Sequence, residues 1–139
     1  VIVLDTNVVS ELMRENPSAA VVRWVTKHAD ASVFTTSITQ GEVLRGVELL
    51  PPGRRRNALA AAAAATFDED FRGRILAFDP DSAKAYALIA AGRRRSGRPI
   101  STFDAQIAAI ARAHGASVAT RNIDDFQHCG VDVIDPWHP

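Results

Sequence analysis

A single cysteine, Cys129, rules out any disulfide within this 139-residue chain, and with it the usual device of a small secreted scaffold. The lone thiol is expected to be a small buried apolar residue, and it suits a reducing compartment. Four histidines, His28, His114, His128 and His138, lie scattered without the spacing of a structural zinc site, which one cysteine does not complete. Charge of one sign is missing as well: 16 Lys and Arg balance 16 Asp and Glu. A nucleic-acid partner must therefore be held by a local patch and not by an overall positive field. No apolar run reaches the length that crosses a bilayer, and residues 1–4 are too few for the apolar region of a signal peptide. The cytoplasm is the expected location, with no membrane partner. Internal repeats and linkers are also absent, and with 47% apolar residues the chain can bury an ordinary core as one domain over residues 1–139.

What is present is an alternation of short β-branched runs and helical patterns. Residues 1–4 read as a buried strand that ends at the polar cluster Asp5, Thr6 and Asn7. A helix through Val8, Val9, Leu12 and Met13 follows, then a second, started by Pro17 and Ser18, through Val21, Val22, Trp24 and Val25. Residues 33–35 form the second strand, and Ser37 begins a helix that runs to about Leu50, where Pro51, Pro52 and Gly53 stop it. The alanine-rich stretch 58–65 lies in a helix predicted over 55–70, its small side chains suited to close packing, including between subunits. Residues 74–78, 117–120 and 131–134 are the remaining strands. Residues 81–95 and 102–114 are the remaining helices, the last capped by Ser101 and ended by Gly115. Strands alternating with helices imply crossover connections, hence an α/β fold with a mostly parallel sheet flanked by helices.

Three carboxylates stand out from this frame. Asp5 directly follows a hydrophobic strand, and open α/β sheets hold their ligands outside the carboxyl ends of the strands. An aspartate there also serves as an ordinary cap of the following turn. At 3.6 residues per turn, Glu42 shares a side of its helix with Ile38, Gly46 and Leu49, an apolar sector. Its capping-box spacing from Thr39 offers a purely structural explanation. Asp104 falls with Ile107, Ala108 and Ala111 on the face expected to point inward, although an acid in the first turn is also favoured by the helix dipole. Were the three to converge at about 4 Å with an effective dielectric near 20, each pair would repel by about 4 kcal/mol. All-oxygen ligands without Cys or spaced His select a hard divalent ion, Mg²⁺ or Mn²⁺, and such an ion commonly engages phosphate oxygens. Phosphoryl or phosphodiester chemistry is the class this points to.

At these residues the sequence resembles the PIN-domain family, and within it the VapC-type toxins of toxin–antitoxin pairs, FitB-like proteins in particular. The matching pieces are Val3, Leu4, Asp5, Thr6 and Asn7, then residues 37–46 around Glu42, then residues 104–109 from Asp104. After them come Ala119 to Asn122, Asp125 with Phe126, and the ending Asp135, Pro136 and Trp137. They span nearly the whole chain in family order. The resemblance implies a three-layer sandwich that hydrolyses RNA by a metal-activated water to a 5′-phosphate and a 3′-hydroxyl. It implies Asp5, Glu42 and Asp104 as ligands of Mg²⁺ or Mn²⁺, with Thr6 or Asn7 holding the first carboxylate. Where the family often carries a fourth acid this chain has Asn122, whose amide would hydrogen-bond a water at the metal. The alternative is that Asp124 or Asp125 supplies the missing charge. An antitoxin that blocks the acidic pocket, operator DNA bound only through that antitoxin, and a homodimer are further implications. Trp24, Trp137 and the alanine helix are candidate contact surfaces, with core packing the expected role of the tryptophans.

Two arginine groups are candidates to guide RNA: Arg54, Arg55 and Arg56 at a helix start, and Arg93, Arg94 and Arg95 with Arg98 at a helix end. Each is equally read as a solvated basic face. Two other functions compete. A phosphatase with an aspartyl nucleophile also places Asp after its first strand, but position 7 holds Asn where such enzymes usually carry a second acid. A catalytically weak binding module would keep its acidic pocket only for an antitoxin, a reading to which Asn122 lends support.

Overall fold

Val3 and Leu4 are wholly buried but on opposite faces of the central strand β1 (Ile2–Leu4), and that alternation organises the molecule. The structure is a computed structural model that describes residues 1–29 and 32–139. Beside β1 lie β2 (Val33–Thr36) and β4 (Ser117–Ala119), with β3 (Ile75–Leu76) and β5 (Val133–Ile134) outermost. The order is β3-β2-β1-β4-β5, and each neighbouring pair is parallel. The register sets Leu4 opposite Ala119 and Val3 opposite Val118. Parallel pairing demands crossovers, and six helices provide them: α1 (Thr6–Leu12), α2 (Ala19–Lys27), α3 (Ser37–Glu48), α4 (Arg54–Ala64), α5 (Pro80–Arg95) and α6 (Thr102–Ala113).

One apolar cluster joins Val3 and Val118 to Ala85 and Ile89 of α5 and to Ile107 and Ala111 of α6. The other joins Leu4 and Ala119 to Val8, Val9, Val21, Trp24, Val47, Ala63 and Phe67. The sheet is thus covered on both faces, and the expected α/β sandwich with a parallel central sheet is what the chain forms. Trp24 is buried in the second cluster and Trp137 packs against it. Cys129 is buried, and burial pushes its thiol pKa up, which keeps it an inert apolar residue. Among the described residues no helix is long and apolar enough to cross a membrane.

Helix starts follow hydroxyl and carboxylate caps. Ser18, Thr36, Asp79 and Ser101 each accept from a backbone N–H in the first turn that follows. At α3 the cap is Thr36, whose Oγ1 accepts from Thr39 N at 3.1 Å, so Thr39 is inside the helix and the capping-box explanation of Glu42 fails. Leu49, expected on the inward face with Glu42, is 71% exposed; the buried side of α3 runs instead through Thr39 and Val47. The helix predicted over 55–70 starts at Arg54 and widens over Ala65–Asp70 into π-helical turns, which carry Phe67 and Phe71 into the core. The two edge strands are shorter than predicted.

Arg93 is the largest departure from expectation. It is buried, not part of a solvated patch, and its Nε donates to Arg98 O at 2.6 Å. Its Nη1 donates to Asp125 O at 2.9 Å and Gln127 O at 2.8 Å. The guanidinium therefore ties the end of α5 to the segment after β4, and the three carbonyls satisfy the donors of a buried cation. Of the first arginine group, Arg56 pairs with Glu48 at 2.6 Å.

Candidate active site

The chain enters the sheet at β1, builds outward through β2 and β3, and returns to the other side of β1 as β4, so the β1/β4 boundary is where the strand order reverses. A crevice outside the carboxyl ends of the strands is expected at that point. Asp5 and Thr120 are the first residues beyond those two ends. Asp5 N donates to Ala119 O at 2.9 Å, which extends the pairing by one residue and sets both side chains at the crevice. Here a cleft of about 510 Å³ is lined by Asp5, Thr6, Asn7, Glu42, Asp104 and Asn122, and also by Ser10, Glu11 and Arg14. The four residues singled out from the sequence thus face one cavity. Asp124 and Asp125 are not among its described lining.

Asp5 is 4% exposed and is held from three directions. Thr6 N donates to its Oδ1 at 2.8 Å; Thr120 Oγ1 donates to its Oδ2 at 2.8 Å, and Asn7 Nδ2 donates to the same oxygen at 3.3 Å. Thr120 in turn accepts from Asn7 Nδ2 at 3.1 Å and from Asn122 N at 3.0 Å, which uses the whole hydrogen-bonding capacity of its hydroxyl. Asn7 Oδ1 accepts from Arg121 N at 3.2 Å, so the amide orientation of Asn7 is fixed as well. Glu42 is positioned by a different chain of contacts. Thr6 Oγ1 donates to Glu42 Oε1 at 2.8 Å and lies 3.0 Å from Thr39 Oγ1. Thr6 has one hydroxyl proton, so Thr39 must be the donor in that second contact.

Burial pushes the Asp5 carboxyl up to about 6 from an ordinary 3.8, against the hydrogen bonds from Thr120 and Thr6, and the negative charges of Asp104 and Glu42 raise it further. Asp104, half-buried, is also raised by its burial, with Ser101 opposing and Asp125 adding to the rise. Asp104 lies in the first turn of α6, where Ser101 Oγ caps the helix by accepting from the Asp104 backbone N at 3.2 Å. Of the charged residues lining the cleft, four are acids, Asp5, Glu11, Glu42 and Asp104, and the one base is Arg14. Arg14 is already paired with Glu11 at 3.3 Å.

The family model for the PIN domain matches residues 2–131. The chain belongs to the PIN-domain family. This PIN domain is 38% identical over 138 residues to the VapC ribonuclease Y4jK of Sinorhizobium fredii, with 99% of each chain covered. It is 39% identical over 137 residues to the toxin FitB of Neisseria gonorrhoeae, again with 99% of each covered. In structure it superposes on a chain of a FitAB complex bound to a DNA fragment with a TM-score of 0.91 and 38% identity, covering 100% of this chain and 97% of that one.

Whether the PIN-domain cleft suits a metal ion is decided by its donors. They are oxygens without sulfur or a histidine ring, which suits a hard divalent cation. Among the described residues no three His, Cys, Asp or Glu side chains stand close enough to form a protein cage for an ion. The donor set therefore fits an ion that keeps several of its own waters and takes one or two carboxylates directly, which is the habit of Mg²⁺. Sequence reasoning missed Ser10, Glu11, Arg14 and Thr120. Ser10 and Glu11 continue the stripe that begins at Asn7 in α1, at spacings of three and four residues, so helical periodicity carried their signal, while Arg14 follows just past the end of that helix. Thr120 had no local signal; its role exists only because β4 pairs with β1.

Proposed function

We propose that this PIN domain is a Mg²⁺- or Mn²⁺-dependent endoribonuclease, the toxin of a toxin–antitoxin pair, in which Asp5 and Asp104 hold the metal ion and Glu42 binds it directly or through one of its waters. The observation that carries the reading is the charge imbalance of the cleft, where a buried Asp5 shares the cavity with Glu42 and Asp104 and the one lining cation is already paired. The name of the Sinorhizobium relative, a VapC ribonuclease, supports RNA as the substrate. A bound divalent ion would supply charge neutralisation of the phosphodiester and acidification of the attacking water. The rest falls to the chain itself. Thr120, Asn7 and the Thr6 N–H fix both oxygens of Asp5, so that carboxylate is preorganised and loses little freedom on binding. Thr6 holds Glu42 against the same cavity. Asn122 offers an amide at the rim, able to orient a water or a phosphate oxygen but not to add charge. No side-chain nucleophile is needed.

An antitoxin is the proposed protein partner, and operator DNA is reached through it, in keeping with the FitAB complex on a DNA fragment. The proposed homodimer is supported by the outward face of α4, where Ala58, Ala60, Ala61 and Ala64 are exposed. The test is cleavage of structured RNA by partner-free protein in Mg²⁺, Mn²⁺ or chelator. Asp5→Ala and Glu42→Ala are expected to abolish cleavage while leaving the circular dichroism intact; metal-dependent cleavage retained by both would reject the assignment. A second reading, an acidic pocket that serves only the antitoxin, is favoured by Asn122 and by the wide spacing of the carboxylates. It predicts tight partner binding without cleavage under any of these conditions.

A further inference from the structure

We propose that a second cleft, adjoining the acidic one, seats a single-stranded stretch of RNA flanking the bond to be cut, with phosphates on Arg23 and Lys27 and a base against Trp137. The inference rests on the ribonuclease reading above. It starts from an electrostatic difficulty: a cavity lined by four carboxylates and one paired arginine repels a polyanion, so affinity for RNA must be gathered outside it. The chain's net charge of zero supplies no general attraction.

Arg23 and Lys27 lie four residues apart on one stripe of α2, and with His28 and Trp137 they line a cleft of about 540 Å³. Both cations are exposed, and among the described residues neither has an ion-pair partner. The helix dipole accounts for Lys27, which lies in the last turn, but not for Arg23 in the middle. Arg121 touches one residue of each cleft, Asn7 of the acidic one and Trp137 of this one. Its backbone N donates to Asn7 Oδ1 at 3.2 Å, which fixes it at the rim, and its guanidinium lies 3.9 Å from the centre of the Trp137 ring. Trp137 is itself anchored, its N donating to Asp135 Oδ1 at 2.9 Å. Arg23 and Lys27 thus share a cleft with an anchored indole, and Arg121 lies against that ring while its backbone is bonded to Asn7 of the acidic pocket. Cations tracking a backbone beside an aromatic platform are what sequence-tolerant binding of single strands requires. The ring and the link to the pocket through Arg121 favour RNA over an acidic peptide.

The test uses the whole chain and a fluorescent single-stranded RNA oligonucleotide, with anisotropy measured in chelator across a salt series, then cleavage in Mg²⁺. The double variant Arg23→Gln/Lys27→Gln is expected to bind about tenfold or more weakly. Its slope of log K against log salt should be shallower by about 1.4, at about 0.7 for each phosphate that is no longer neutralised. In cleavage its KM rises while kcat holds. Lys84→Gln, an exposed cation of α5 on the opposite face of the sheet, changes neither quantity. Unchanged affinity and slope in the first variant overturn the cleft proposal, while Mg²⁺-dependent cleavage by the parent protein keeps the nuclease reading. A parent protein that binds through Arg23 and Lys27 but never cleaves upholds the cleft and removes the nuclease. Intact RNA binding with lost affinity for the purified antitoxin assigns the cleft to a protein and overturns the proposal.

Discussion

Replacing Asp5 by asparagine should stabilise the metal-free protein while destroying its activity. The folded pKa of Asp5 is raised to about 6 from 3.8, so the native state binds the proton more tightly than the unfolded chain does. The stability tied to this group is fully present below pH 3.8, is lost as pH rises through 6, and is absent at pH 8. At 1.36 kcal/mol per pH unit the charged Asp5 costs the fold about 3 kcal/mol at pH 8. With only 4% of the residue exposed, solvent screening reduces that figure little. The Asp5→Asn variant escapes the cost but keeps only part of the hydrogen bonding, since an amide weakens the Thr120 contact and meets Asn7 Nδ2 donor to donor. A loss of about 1 to 2 kcal/mol is reasonable for that. The net gain is about 1 to 2 kcal/mol, or a rise in Tm of about 3 to 6 °C at this chain length. Thermal melts in chelator at pH 8 and pH 4 measure it: the variant should melt higher at pH 8, and the advantage should vanish or reverse at pH 4. Adding Mg²⁺ at ten times its Kd should raise the parent protein by about 1.4 kcal/mol and leave Asp5→Asn unmoved. A variant that melts below the parent at pH 8 in chelator refutes the reasoning, because burial and like charge would then not dominate at Asp5.

Three further perturbations read the surrounding network. Thr120→Val removes the short donor to Asp5 and the acceptor for Asn7 and Asn122; it should cost about 2 kcal/mol and push the Asp5 pKa higher still, measured by NMR titration of the carboxyl carbon. Arg93→Met strips three carbonyls of a buried donor and should lower stability by about 3 kcal/mol, or about 10 °C, in a thermal melt. Arg93→Lys should not rescue it, because one ammonium does not span the fork. Asn122→Asp adds a carboxylate to the pocket rim, so the melting rise on saturating Mn²⁺ should exceed that of the parent; an equal rise places position 122 outside the ion's reach.

Elements marked by local chemistry were readable before folding, and those made by distant partners were not. The strand at β1 announces itself by its β-branched run and the polar residues that end it, so Asp5 could be placed at a strand terminus from four neighbours alone. Helix periodicity brought Glu42 and Asp104 inward, although for α3 the wheel was drawn around Leu49, which is exposed, and not around Val47. Two threonines three residues apart compete to cap α3, and Thr36 wins because it ends β2 in an extended conformation while Thr39 is already helical. Arg93 looks like a solvated cation at a helix end until the segment after β4, more than thirty residues later, brings carbonyls to it. The edge strands fell short of their predicted lengths because each pairs on one side only, which leaves their ends without partners.

The Thr120 to Asp5 hydrogen bond joins residues 115 positions apart, and β4 can pair with β1 only after the more than one hundred residues between them have been made. A ribosome-bound chain that still lacks β4 cannot hold Asp5 in its final pose, because half of the crevice wall and the hydroxyl that grips the carboxylate have yet to emerge. Until Ser117 to Thr120 have emerged, the Oδ2 oxygen of Asp5 lacks the short hydroxyl donor that fixes it. Long-range pairing of this kind is slow to form, so the grip on Asp5 depends on the kind of contact that a folding chain makes late.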